Sequence, residues 1–202
     1  MQATHTNFIG AVAGLAMVAA AAAGCSRYTL DQGRSPSQVV IVNLEAASGA
    51  QSAVFSGTLD SDVITDGTVF NDIGRVTMRL VLKDQGVPGV TATPSALNQV
   101  TITRYRVVYR RSDGRNAAGL DVPFPFESAT TFTIPVDASV TQSFELVRHT
   151  SKKEAPLAAL GSSSVIISTV AEVTFYGRDL AGNEVVVVGN IGILFGNFSD
   201  PQ

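Results

Sequence analysis

From residue 38 onward the chain alternates apolar and polar residues with a period of two, and no long stretch carries the 3.6-residue period of a helix. Successive side chains of a strand point to opposite faces, so this pattern specifies half-buried β-strands and argues against βαβ architecture. Val76, Met78, Leu80 and Leu82 alternate with Thr77, Arg79 and Lys83. Val40, Val42 and Leu44 share one parity, and residues 102–109, 131–136, 144–147, 165–176 and 185–194 continue the pattern.

Turn residues separate these runs. Asp113-Gly114 and Ala181-Gly182-Asn183 tolerate the positive φ of tight turns. Pro123 and Pro125 flank Phe124, which makes that segment an edge strand or an extended connection, because proline donates no ladder hydrogen bond. Residues 152–160 alone read as a helical turn, and Pro156 limits it. Seven to nine short strands between turns favour an antiparallel sandwich.

Residues 173–185 look like the late hairpin of bacterial immunoglobulin-like domains, in which a strand enters a D-x-A-G-N turn and returns apolar; Asp179-Leu180-Ala181-Gly182-Asn183 matches that turn. Residues 102–110 resemble the central strand of fibronectin type III and related sandwiches. Together these resemblances cover about 30 residues. They imply an all-β, antiparallel immunoglobulin-like β-sandwich and carry no catalytic residues. The chain has no Trp for the sandwich core, and its second half holds no clear copy of the first. The expected unit is one decorated sandwich over 38–202, with two small immunoglobulin-like modules as the alternative.

Upstream, residues 8–24 are uncharged and mostly Ala, Val, Leu and Gly, short for a bilayer span and suited to the apolar region of a signal peptide. The run ends Ala22-Ala23-Gly24-Cys25-Ser26, which resembles the lipobox of bacterial lipoproteins, although Ala22 stands where Leu is usual. That resemblance implies a signal peptide over 1–24, acylation of Cys25, and a flexible polar tether over 25–37. Multiple acyl chains hold a protein on a membrane where one does not. Ser26 after the cysteine implies outer-membrane sorting in a Gram-negative cell, and a bacterial cell envelope otherwise. The alternatives are an ordinary cleaved signal, or a marginal anchor helix with Cys25 a free thiol.

Little in the chain supports catalysis. With 14 Lys+Arg against 17 Asp+Glu, the net charge of −3 argues against nucleic acid as the partner. Charged residues make up 15%, too few for a charge-driven disordered chain. Cys25 is the single cysteine, so there is no disulfide framework and no thiolate metal cluster. Beyond the leader the one histidine is His149, set among Arg148, Lys152 and Lys153, and no G-x-S-x-G elbow accompanies it. Asp60, Asp62, Asp66 and Asp72 start like a calcium loop, but apolar Val63 and Ile64 fall at ligand positions, so a solvated acidic loop is expected. Gly189, Gly192 and Gly196 form no phosphate-binding pattern and read as bulges or close backbone packing in a late strand. No cofactor or metal is expected.

The uneven feature is basic. Arg104, Arg106, Arg110, Arg111 and Arg115 are five of eleven arginines within twelve residues. Period two puts Arg104, Arg106, Val108 and Arg110 on one strand face and Tyr105, Val107 and Tyr109 on the other. One reading is a guanidinium strip for an anionic partner, since the Arg fork matches carboxylate and phosphate. The other is a solvent face paired across strands to acids such as Glu172 or Glu145. The expected function is thus a non-enzymatic, membrane-anchored interaction module. Its partners would be the membrane and an envelope protein or anionic polysaccharide. The alternatives are a hydrolase of envelope polysaccharide and a barrel carrying a small apolar ligand.

Overall fold

The computed structural model describes residues 34–84 and 86–198; the leader, Cys25 and the tether before Arg34 lie outside these residues. The period-two runs form long strands. Two sheets result, one ordered β1 (Ser37–Ala47), β3 (Asp72–Leu82), β8 (Val140–Val147). The other is ordered β2 (Thr58–Asp62), β10 (Glu184–Gly196), β9 (Ile167–Asp179), β6 (Val100–Arg110), β7 (Phe126–Ile134). A small hairpin, β4 (Gly86–Val87) and β5 (Val90–Thr91), stands apart from both. Among the described residues, helical structure is confined to α1 (His149–Lys152) and 3₁₀ turns at Gly49–Gln51, Ala96–Asn98 and Leu157–Ser162. Pro156 separates α1 from the last of these. Among the described residues no helix is long and apolar enough to cross a membrane.

The described residues form an all-β fold, and among them the ladders are antiparallel with one exception: β2 runs parallel to β10, Thr58 beside Gly192 through Asp62 beside Gly196. Asp60-Ser61-Asp62, expected in a loop, therefore lies in an edge strand. Its inward residues are Leu59 and Ser61, both buried.

The alternation of β3 buries Val76, Met78 and Leu80. In β1 the parity read from Val40, Val42 and Leu44 is broken by a bulge between Ile41 and Asn43. Val42 is turned out to solvent, and the inward set is Val39, Ile41, Leu44 and Ala46. Two residues opposing one shift every later side chain to the other face, and this bulge does so.

The sheets face each other over a hydrophobic core of buried side chains from both. With no Trp available, its centre is a cluster of rings: Phe144 of β8 meets Tyr105 of β6 at 5.1 Å and Phe175 of β9 at 5.3 Å, both edge to face. Edge-to-face contacts at these distances contribute roughly 0.5–1.5 kcal/mol beyond area burial. Two tyrosine hydroxyls bond across the core. The Tyr105 hydroxyl donates to the Glu145 carbonyl (3.0 Å) and the Tyr109 hydroxyl to the Leu146 carbonyl (2.7 Å). Along the other edge Gly189 of β10 lies directly under Ile41 and Leu44 of β1, the close packing expected of that glycine.

Candidate functional site

The arginine strip sits on β6, held between β7 and β9. A bulge at Thr103, between Ile102 and Arg104, sets the parity of the rest of the strand. Tyr105, Val107 and Tyr109 are buried in the core, while Arg104, Arg106 and Arg110 project from the outer face of the five-stranded sheet. Arg111 and Arg115 lie beyond the strand, in the connection to β7.

Each guanidinium has a carboxylate partner. Glu127, opposite Arg106 in the register, takes Arg104 at 2.9 Å and Arg106 at 3.9 Å. Glu172 of β9 lies 3.7 Å from Arg110. Asp113 holds both Arg111 (2.7 Å) and Arg115 (2.8 Å), and hydrogen bonds from Arg111 and then Arg115 keep its carboxyl well below the usual carboxylate range. Glu145, the other acid expected to pair with the strip, is in the opposite sheet and pairs with Arg148 at 3.0 Å. Five guanidiniums thus face three carboxylates, and positive charge remains in excess. The five are not equivalent. Arg111 is 16% exposed at the side chain and serves as a loop staple, whereas Arg110 and Arg115 are mostly open to solvent.

Beside Arg104 the sheet is indented. Gly177 of β9 faces the bulge, and a Cβ there would come 2.5 Å from the Thr101 carbonyl oxygen, so only glycine allows β6 and β9 to approach this closely. The resulting depression, about 390 Å³, is bordered by Thr103, Arg104, Tyr176, Arg178, Glu184 and Val186. The Arg104 guanidinium stacks on the Tyr176 ring at 3.7 Å, and Arg178 pairs with Glu184 at 2.9 Å. Sequence reasoning missed Arg178, Tyr176 and Glu127 as members of this face. Their signal is parity: each falls on the outward register of a strand flanking β6. Exposed ion pairs contribute about 0–1 kcal/mol each, so an incoming anion can exchange for the glutamates at small cost.

The other chemically capable groups are engaged structurally. Lys152 and Asp72 form an ion pair of 2.8 Å with side-chain exposures of 1% and 0%. Asp72 also accepts from the Ser61 hydroxyl (2.5 Å) and the Gly49 amide (2.9 Å), and Lys152 also donates to the Asp62 carbonyl (2.8 Å). Burial pushes the Asp72 pKa up, against the lowering effect of Lys152, Ser61 and Gly49. Ser, Lys and Asp are brought together here, but sealed from solvent. The arrangement ties α1 to β2 and β3.

His149 is engaged through both its backbone amide (2.6 Å) and Nδ1 (2.8 Å) by the Asn71 side chain. The acidic segment does not converge. Asp72 turns into the core and Asp62 accepts from Thr65 and from the Ile64 and Phe198 amides. Among the described residues no group of three or more His, Cys, Asp or Glu is placed to hold a metal ion. Cys25 lies outside the described residues.

These features define an all-β, sandwich-like protein with a basic outer sheet face. Compared with protein-family models, curated proteins and solved structures, the chain matches none.

Proposed function

We propose that the protein is an immunoglobulin-like β-sandwich held on a bacterial envelope membrane through acylated Cys25, and that it acts without catalysis. Its outer sheet face binds an anionic partner, an acidic polysaccharide or an acidic protein surface. The observation that supports the binding reading best is the excess of guanidiniums on that face: Arg104, Arg106 and Arg110 project from one side of β6, and Arg104 borders a depression that also holds Arg178. The D-x-A-G-N turn between β9 and β10 supports the immunoglobulin-like reading. There the Gly182 φ of +85° supplies the left-handed residue, and the Asp179 carboxylate accepts from the Ala181 and Asn183 amides. The lipobox-like run ending at Cys25 supports the anchor, and the two separate sheets speak for a sandwich over a closed ligand-carrying barrel. Membrane attachment raises local concentration, so weak contacts suffice.

The test combines intact mass and membrane fractionation with a binding assay. Wild-type protein is expected to start at Cys25 with added acyl mass and to sediment with membranes, and Cys25→Ala to be released. Retention on an immobilised acidic polysaccharide should fall with salt and be lost in an Arg104→Ser, Arg106→Ser, Arg110→Ser variant. Equal retention of this variant and wild type would overturn the binding face.

A further inference from the structure

Residues 35–37 are fastened at one end of the sandwich. The Ser35 side chain hydrogen-bonds Asp179 at the β9–β10 turn, the Ser37 hydroxyl donates to the Asn98 carbonyl (2.8 Å), and the Lys83 amide donates to the Pro36 carbonyl (2.9 Å). The chain preceding Arg34 therefore leaves from this end. The same end carries everything inserted between β3 and β6, because Ser37 pairs with Leu82 while Val100 pairs with Asp179.

Four aliphatic side chains stand out from it into solvent. Val87 and Val90 face each other across the β4–β5 hairpin, so both side chains lie on one side of it. Leu97 sits on the 3₁₀ turn before β6, and Leu180 on the β9–β10 turn. Their exposures run from 58% at Leu180 to 69% at Leu97, so each is more than half open to solvent.

We infer that this end of the sandwich rests on the lipid bilayer that holds the protein's own acyl chains, with Val87, Val90, Leu97 and Leu180 in the acyl–headgroup boundary. The inference rests on the lipid-anchor reading above and adds an orientation to it. Length decides which end meets the membrane. Arg34 lies nine positions after Cys25, and a fully extended chain of that length reaches about 30 Å. The 13-residue strand β9 measures about 40 Å from end to end. An inverted domain would need the tether to cover that whole length, and it is too short. The opposite end also exposes aliphatic and aromatic groups, Leu120 and Phe124 among them, but the tether keeps those away from the bilayer.

Cys25 is the chain's one thiol, so once it is acylated an introduced cysteine can be labelled alone. Full-length protein carrying Val90→Cys, and separately Leu120→Cys, would be labelled with the environment-sensitive fluorophore NBD. Each would be reconstituted into phosphatidylethanolamine–phosphatidylglycerol vesicles, and Cys25 acylation checked by intact mass. The expected result is a blue shift and a several-fold rise in emission at position 90, quenched by spin-labelled lipid, with position 120 remaining in water. An acylated protein whose position 90 reports water overturns the orientation alone. A protein without acyl mass at Cys25 overturns the anchor reading, and the orientation with it.

Discussion

Replacing Lys152 by Met removes the cation from a buried pair and leaves its partner in place. At 2.8 Å the gross attraction is about 6 kcal/mol with an effective dielectric of about 20. Much of it offsets the cost of taking both charges out of water, so the net worth of the pair is small. Breaking it is another matter. Asp72 would keep only Ser61 and Gly49 as donors, and the Asp62 carbonyl would lose its ammonium donor. Removing one partner of a buried pair costs about 3–5 kcal/mol. In a chain of this size that lowers Tm by about 6–20 °C.

The sign of the pH dependence is set by Asp72. Burial raises its pKa above the ordinary 3.8, and Lys152 holds the rise down through both charge and hydrogen bond. Without Lys152 the carboxyl rises further. A folded-state pKa above the unfolded value means that the folded protein binds the proton more tightly. That contribution is full below the unfolded value and is lost as pH rises through the folded one. The variant should therefore be most damaged near about pH 8 and regain stability as pH falls toward about 4. Wild type should show the same trend more weakly from this group. Urea unfolding of wild type, Lys152→Met, Asp72→Asn and the double variant across that range measures it. The double variant, with no buried charge, should recover much of the loss at alkaline pH. A Lys152→Met loss below about 1 kcal/mol, or a double variant equal to the sum of the singles, would refute the reasoning.

Two further substitutions have expected outcomes. Tyr109→Phe should cost about 1–3 kcal/mol in urea unfolding, because the Leu146 carbonyl is left buried without its donor. Glu127→Gln should change stability by less than about 1 kcal/mol, since its pairs with Arg104 and Arg106 are about half exposed. The same substitution should tighten retention on an acidic polysaccharide, measured as the salt concentration that elutes the protein, by freeing two guanidiniums at once.

The strands that a single sequence could reveal are the ones whose burial obeys their own alternation. β3, β9 and β10 are of this kind, and so is β6 beyond its bulge, where the outward parity of Arg104, Arg106 and Arg110 lies. β2 was hidden because Thr58–Asp62 has two aspartates and little β-propensity. It is a strand through its ladder to β10, more than a hundred residues away in the chain. The β1 bulge was hidden for a related reason. Val40, Val42 and Leu44 alternate correctly by themselves, and only the fit of the flanking residues to β3 moves Val42 out. In the sequence Lys152 stands only as a basic neighbour of His149, because its partner Asp72 is 80 positions away.

The candidate site divides along the same line. Which arginines share a face is a local property of one strand. Which carboxylates answer them depends on the neighbours that the sheet brings alongside, so Glu127 was missed and Glu145 was misplaced. This bears on how the face would recognise a partner. A strip of unpaired guanidiniums would bind any polyanion through charge alone. With Glu127, Glu172 and Asp113 interleaved, an anion must offer acceptors that replace these carboxylates. Each exchange trades one charge-assisted hydrogen bond for another, so affinity comes from the excess of guanidiniums and selectivity from how the partner's acceptors are spaced.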